Sequence, residues 1–192
     1  MKILEKGLIC LHGLSNVGKT TILINVASKS LMEGKKVLYI SGDSNYNSIS
    51  NKIIKNLSGR VFLKNIKNFE LKELRTNEQL IDILTEYQNK GLDTVLIDFC
   101  LINDAIIDKL RELNVHSLYT INSLPSKISN YKDDVMLSLN KPKKSRLQNI
   151  KYFLLFWKQK PNLIINIIKN RFGEDGLSEM VYLDFKTAKI VT

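Results

Sequence analysis

The sequence predicts an α/β protein in which a mainly parallel sheet is flanked by helices and extended at its C-terminal end by antiparallel strands. Short apolar runs alternate with segments of helical spacing over about the first 140 residues, as right-handed β-α-β crossovers require. Two of these runs end in polar residues, at the strand ends where parallel sheets present ligand groups. The final pair of runs is joined by the turn-rich residues 173–176, too short a link for a crossover.

In chain order, residues 7–11 form an apolar strand that reaches Gly13, and apolar residues at 22–32 continue as a helix until Gly34 stops it. Residues 36–40 contain Val-Leu-Tyr-Ile and end in Ser41, Gly42, Asp43 and Ser44, which reads as a second buried strand. Helical spacing follows at 49–57, and residues 60–63 are expected to form a third strand. Leu80, Ile81, Ile83 and Leu84 mark one helix face within 78–88, before Gly91. Residues 94–98 are a buried strand, 106–113 a helix, and 117–121 and 135–139 further strands. The tail contributes strands at 163–168 and 180–185.

A chain of 192 residues is long enough to bury one sizeable core, so a single domain over 1–192 is expected, without a metal or disulfide staple. Cys10 and Cys100 are distant in sequence, form no C-x-x-C and end apolar runs, the pattern of buried free thiols. No apolar stretch is long enough to span a bilayer and no secretory signal is evident, so the expectation is a cytoplasmic protein with no membrane partner. Lysine and arginine total 29 against 19 acids, a net charge of +10, and residues 141–171 hold nine basic residues and no acid. That imbalance suits a polyanionic partner, and a Lys-, Ile- and Asn-rich coding bias would produce it as well.

Gly13, Leu14, Ser15, Asn16, Val17, Gly18, Lys19 and Thr20 match G-x-x-x-x-G-K-[ST] at every fixed position, and Thr21 follows in the helix. Strand, glycine-rich loop and helix stand in the order a P-loop needs. Its backbone N–H groups converge on the β-phosphate, the helix N-terminus adds positive potential, and Lys19 reaches the β- and γ-phosphates. The Thr20 hydroxyl is a Mg2+ ligand in such a site, and a carboxylate at the end of a buried strand completes the metal environment. Asp98 is that carboxylate, the alternative being an aspartate that caps the next turn. Hydrolysis further needs a group that orients the attacking water, for which Asp43 is the candidate, unless it only serves a turn.

With these residues in place, the chain resembles the RecA superfamily, in particular the branch of DnaB-type replicative helicases and the RadA (Sms) and KaiC ATPases. Residues 34–44 are similar to the RadA stretch that carries a catalytic glutamate after the second strand, and here that position is Asp43, one methylene shorter. Asn122 falls where the family places a polar γ-phosphate sensor. Residues 169–173, Lys-Asn-Arg-Phe-Gly, closely resemble the RadA motif of the same composition and its DnaB counterpart. The resemblance implies ATP as the nucleotide with Mg2+ as cofactor, DNA as partner with single strands favoured, and a homo-oligomer, commonly a hexamer. In it, Lys169 and Arg171 act on the neighbouring subunit's γ-phosphate.

The sequence also departs from that family. The expectation is an ATPase core alone, because the 192 residues leave no room for the N-terminal domain of DnaB or the zinc finger and protease-like domain of RadA. Residues 99–103 and 123–130 are short where the family has DNA-contacting loops. Residues 141–161 look inserted and place the aromatic run 152–157 between lysines, which suits either stacking on unpaired bases or a core segment with snorkelling lysines. Other functional classes compete with the DNA-linked ATPase: a regulator that binds ATP as an assembly switch, a small-molecule kinase, and a ParA/MinD-like ATPase. The kinase is disfavoured by only five arginines, none clustered, and the partitioning ATPase by Leu14 at its signature lysine. No Asn-Lys-x-Asp motif supports a GTPase.

Overall fold

The structure, a computed structural model, describes residues 7–42, 46–57, 66–74, 76, 78–98, 100–122, 133–142, 162–184 and 189–191. Strand β1 (Leu8–His12) leads to helix α1 (Lys19–Met32), β2 (Val37–Ser41), α2 (Tyr46–Leu57) and, after a short 3-10 turn, β3 (Phe69–Glu73). Then follow α3 (Glu78–Tyr87), β4 (Thr94–Asp98), α4 (Asp104–Leu113), β5 (His116–Ile121) and β6 (Val135–Asn140). The tail contributes β7 (Leu163–Asn170), β8 (Ser178–Asp184) and β9 (Lys189–Val191).

These strands form one nine-stranded sheet in the order β3-β2-β4-β5-β1-β6-β7-β8-β9. From β3 to β6 all neighbours run parallel, and β7, β8 and β9 join antiparallel. The expected class and the antiparallel extension are therefore both present. Because side chains alternate along a strand, each central strand feeds two cores. Ile9, Leu11, Tyr39, Leu96, Leu118 and Leu137 face α1 and α2, while Leu8, Cys10, Leu38, Ile40, Tyr119 and Met136 face α3 and α4. Each such aliphatic side chain stabilises the fold by about 1.5–3 kcal/mol when fully buried.

Helix α1 is buried along most of its length, including Ser28 and Ser30. Their hydroxyls are satisfied, Ser28 donating to Ile24 O at 2.8 Å and Ser30 lying 3.2 Å from Thr94 Oγ1. Helix α4 starts where Asn103 accepts Ile106 N–H at 3.0 Å, and it ends at Asn114, whose φ of 50° is left-handed. Among the described residues no helix is long and apolar enough to cross a membrane.

The third strand differs from the sequence expectation. It occupies residues 69–73, while residues 60–63 lie outside the described ones. In Phe69–Glu73 only the phenylalanine is buried and two of five residues are glutamate, so an edge strand here lacks the apolar run that marks the central ones. The three residues of β9 are too few to leave a periodic signal.

Asp133, just before β6, is 1% exposed and accepts the Tyr119 hydroxyl at 2.8 Å on Oδ1 and 2.7 Å on Oδ2. Burial pushes its carboxyl up to about 6, against the opposing pull of Tyr119, Lys169 and Arg111. The folded protein thus holds this proton more tightly than the unfolded chain. Its contribution to stability is full below the ordinary value of 3.8 and is lost as pH rises from there to about 6. Asp133→Asn is expected to flatten the decline in Tm over that interval relative to wild type, as read by thermal unfolding at stepped pH. Parallel curves for the two proteins would show that Asp133 is not the titrating group.

Candidate nucleotide site

The P-loop spans residues 13–18 between β1 and α1, and two positive-φ residues bend it: Asn16 at 61° and Gly18 at 114°. Gly18 is also the N-cap of α1, which makes glycine the residue that closes the loop onto the helix without strain. Gly13 donates its N–H to Ile121 O of β5 at 3.3 Å. A Cβ at Gly13 would lie 2.8 Å from Val17 Cγ1 and 2.9 Å from Leu139 O of β6, so the loop is pressed against the sheet. Val17 is 4% exposed and anchors the loop in the core, whereas Leu14, Ser15 and Asn16 face solvent.

Lys19 is 4% exposed, and its Nζ donates to Gly13 O at 2.6 Å and Leu14 O at 3.0 Å. The ammonium therefore sits under the loop it belongs to. Burial lowers its pKa, and the nearby Asp98 opposes that shift. Thr21 is buried on the same turn of α1.

Asp98 ends β4 at 1% exposure. Its Oδ2 accepts the Tyr39 hydroxyl from β2 at 3.1 Å, its Oδ1 accepts Thr120 Oγ1 from β5 at 3.1 Å, and the Thr20 side chain donates to it from α1. Burial raises the Asp98 pKa, and the three hydroxyls and Lys19 oppose the rise. A divalent cation at this carboxylate would favour its ionised form. Thr20 and Asp98 offer hard oxygen donors beside a phosphate-binding loop, which suits Mg2+ shared with phosphates and water. Among the described residues no group of three or more His, Cys, Asp and Glu side chains forms an all-protein metal cage. Cys100 lies beside Asp98 with its thiol pushed up to about 12 by burial, so it stays protonated and unreactive.

Asn122 follows β5 and is exposed, next to the Ile121 carbonyl that holds Gly13, so it borders the same edge of the sheet. Asp43 lies outside the described residues, as do Phe99, residues 123–130 and most of 141–161. Lys169 and Arg171 stand elsewhere. In the antiparallel register Lys169 is opposite Met136 and Asn170 opposite Val135, at the start of β6, while Gly13 abuts Leu139 near its end. At about 3.3 Å per residue this separates them by on the order of 10–15 Å along the strand. Lys19, Thr20, Asp98 and Asn122 thus share one edge, and Lys169 and Arg171 occupy the other.

Three further residues complete the site. Tyr39 and Thr120 clamp Asp98, and a tyrosine within the run Val-Leu-Tyr-Ile could have signalled a hydroxyl in need of a buried partner. His12 ends β1 directly before Gly13, with Nδ1 buried and without a hydrogen-bond partner. Its pKa is lowered by burial and by Lys19, which favours the neutral ring.

Gly13→Ala places a methyl group against Leu139 O and Val17, and the loop must move away from the sheet to accept it. The variant is expected to bind a fluorescent ATP analogue with Mg2+ at least about tenfold more weakly, with a smaller change in Tm. Unchanged affinity would show that the loop tolerates the displacement.

No protein-family profile matches the chain. Over 96 residues, 50% of this chain, it is 33% identical to the DNA repair protein RadA of Campylobacter jejuni, and it spans 20% of that protein's length. The crystal structure of the RadB recombinase matches it with a TM-score of 0.62 and 15% identity, covering 95% of this chain and 89% of that one. With a parallel sheet ordered around β1, a P-loop at its carboxyl edge and an antiparallel tail, the chain has the fold of the RecA superfamily and a distant sequence similarity to RadA.

Proposed function

We propose that the chain is a Mg2+-dependent ATPase core that acts on or with DNA in replication, repair or recombination as a homo-oligomer. The observation that carries the ATPase reading is the convergence of Lys19, Thr20 and Asp98 beneath one loop, each held by contacts with neighbouring residues. Preorganised charge of this kind stabilises a transferring phosphoryl group without reorganisation during the reaction.

In this mechanism the loop N–H groups and Lys19 bind the β- and γ-phosphates, and Thr20 and Asp98 would hold Mg2+, which would supply neutralisation of charge on the phosphates. Asn122, at the same edge, reads the γ-phosphate. Asp43 orients the attacking water and accepts its proton. Lys169 and Arg171 contact the nucleotide of a neighbouring subunit, a role supported by their position at the edge opposite their own P-loop. The DNA partner rests on the net charge of +10 and on the names of the two similar proteins, a DNA repair protein and a recombinase.

Steady-state ATP hydrolysis across a protein concentration series, with and without single-stranded DNA, tests this reading. Lys19→Ala is expected to abolish turnover. Arg171→Ala is expected to lose on the order of a hundredfold or more in turnover while still binding ATP. Tight ATP binding without turnover at any concentration would instead identify a nucleotide-switched regulator, the alternative favoured by the shorter carboxylate at Asp43.

A further inference from the structure

Asp134 ties three parts of the amino edge together. Its Oδ2 accepts Leu8 N–H at 2.9 Å, its Oδ1 accepts Arg171 Nη1 at 3.1 Å, and its backbone carbonyl accepts Arg171 N–H at 2.8 Å. Arg111, in the last turn of α4, brings Nη2 to 3.6 Å from the same Oδ1. Two guanidinium groups therefore face one carboxylate oxygen, and only Arg171 is within hydrogen-bonding distance of it. The side chain of Asp134 is 15% exposed, that of Arg111 35% and that of Arg171 64%. Among the described residues, Asp133 and Lys169 also stand at this end of β6.

The backbone around Arg171 is fixed independently of its side chain. Besides the bond to Asp134 O, Asn170 Oδ1 accepts Phe172 N–H at 3.0 Å, and the Phe172 ring lies so close to Gly7 that a Cβ there would sit 2.9 Å from it. The guanidinium can thus leave Asp134 while the turn that carries it stays in place.

We propose that Asp134 is a positioning residue for Arg171, and that Arg111 takes over its Oδ1 when Arg171 swings out to a neighbouring subunit's phosphates. This rests on the trans role of Arg171 given above and adds what controls it. Departure of Arg171 alone would leave a largely buried carboxylate with its remaining cation, Arg111, beyond hydrogen-bonding distance at 3.6 Å, a less favourable state. Arg111 closes that gap with a movement of well under 1 Å, so the exchange keeps Asp134 paired throughout. Arg111 also lies on the helix that follows Asp98, which places the substitute cation on the element leading from the subunit's own nucleotide site.

The test is ATP turnover against protein concentration for wild type, Arg111→Gln, Asp134→Asn, the double variant and Arg171→Ala. Asparagine at 134 retains an acceptor for Leu8 N–H and removes the charge. Asp134→Asn frees Arg171 and is expected to lower the concentration for half-maximal turnover roughly three- to tenfold. Arg111→Gln removes the substitute cation and is expected to raise it by a similar factor. Saturating turnover stays at the wild-type level in both, and the double variant behaves as Asp134→Asn because Arg111 acts through that carboxylate.

An inactive Arg171→Ala beside wild-type curves for Arg111→Gln and Asp134→Asn would overturn the exchange and leave the trans role standing. Additive effects in the double variant would also overturn it. An Arg171→Ala curve identical to wild type would remove the trans role itself, and the exchange with it. If Asp134→Asn does not fold, Arg111→Gln decides alone, and an unshifted curve refutes the proposal.

Discussion

A carboxylate buried to 1% exposure at the end of the fourth strand is the constraint around which the carboxyl edge of this sheet is arranged. An isolated ion there would be costly, and Asp98 meets that cost with hydroxyls from β2, β5 and α1 and with the nearby charge of Lys19. Those partners fix the relative heights of three strands and of the first turn of α1. The P-loop inherits its position from them, because Gly13 is bonded to β5 and packed on β6, and Gly18 must start α1 where Thr20 reaches Asp98.

The same sheet keeps two sets of charged residues apart. Strand β6 connects them, with Leu139 under the P-loop and Asp134 under Arg171. Its course is set by a ladder to β1 on one side and by one to β7 on the other, which shifts register once between Met136 and Leu137, so the separation is fixed by the sheet and not by loops. A cation at the amino edge cannot complete the phosphate site of its own chain without breaking that ladder. On the proposed reading its contact with bound nucleotide is made in another copy, by a surface that differs from the one presenting the P-loop. Contacts between unlike surfaces build rings or filaments, not closed two-fold pairs.

Much of this was legible in the sequence, for identifiable physical reasons. Residues 95–97 are apolar between Thr94 and a single acid, the pattern of a strand buried on both faces and ending at a polar edge, and β4 spans Thr94–Asp98. The P-loop declares itself because glycine and lysine are needed at fixed spacing. Harder to see was β3, an edge strand whose alternation of Glu and Lys with Phe and Leu lacks the continuous apolar run of β2 and β4. The clamps on Asp98 were hidden because Tyr39 and Thr120 come from strands distant in sequence, and a hydrogen bond of long separation leaves no local pattern. The role of Asp134 was hidden for a related reason: it stands beside Asp133 at the start of a strand, and only the fold shows that one faces Tyr119 and the other two arginines.

The reversal of chain direction after β6 is what gives the tail its place in this scheme. A parallel strand entered through another crossover would carry residues 169–171 to the carboxyl edge, beside the subunit's own P-loop. An antiparallel β7 returns them to the amino edge, next to the start of β6 and the end of α4, where Asp134 and Arg111 lie. The turn into β8 then exposes Arg171 and Phe172 beyond the sheet while the ladders on both sides hold its base. The antiparallel extension is thus more than added core: its direction decides which end of the molecule carries the cations, and a strand inserted or lost between β6 and β7 would move them to the opposite end.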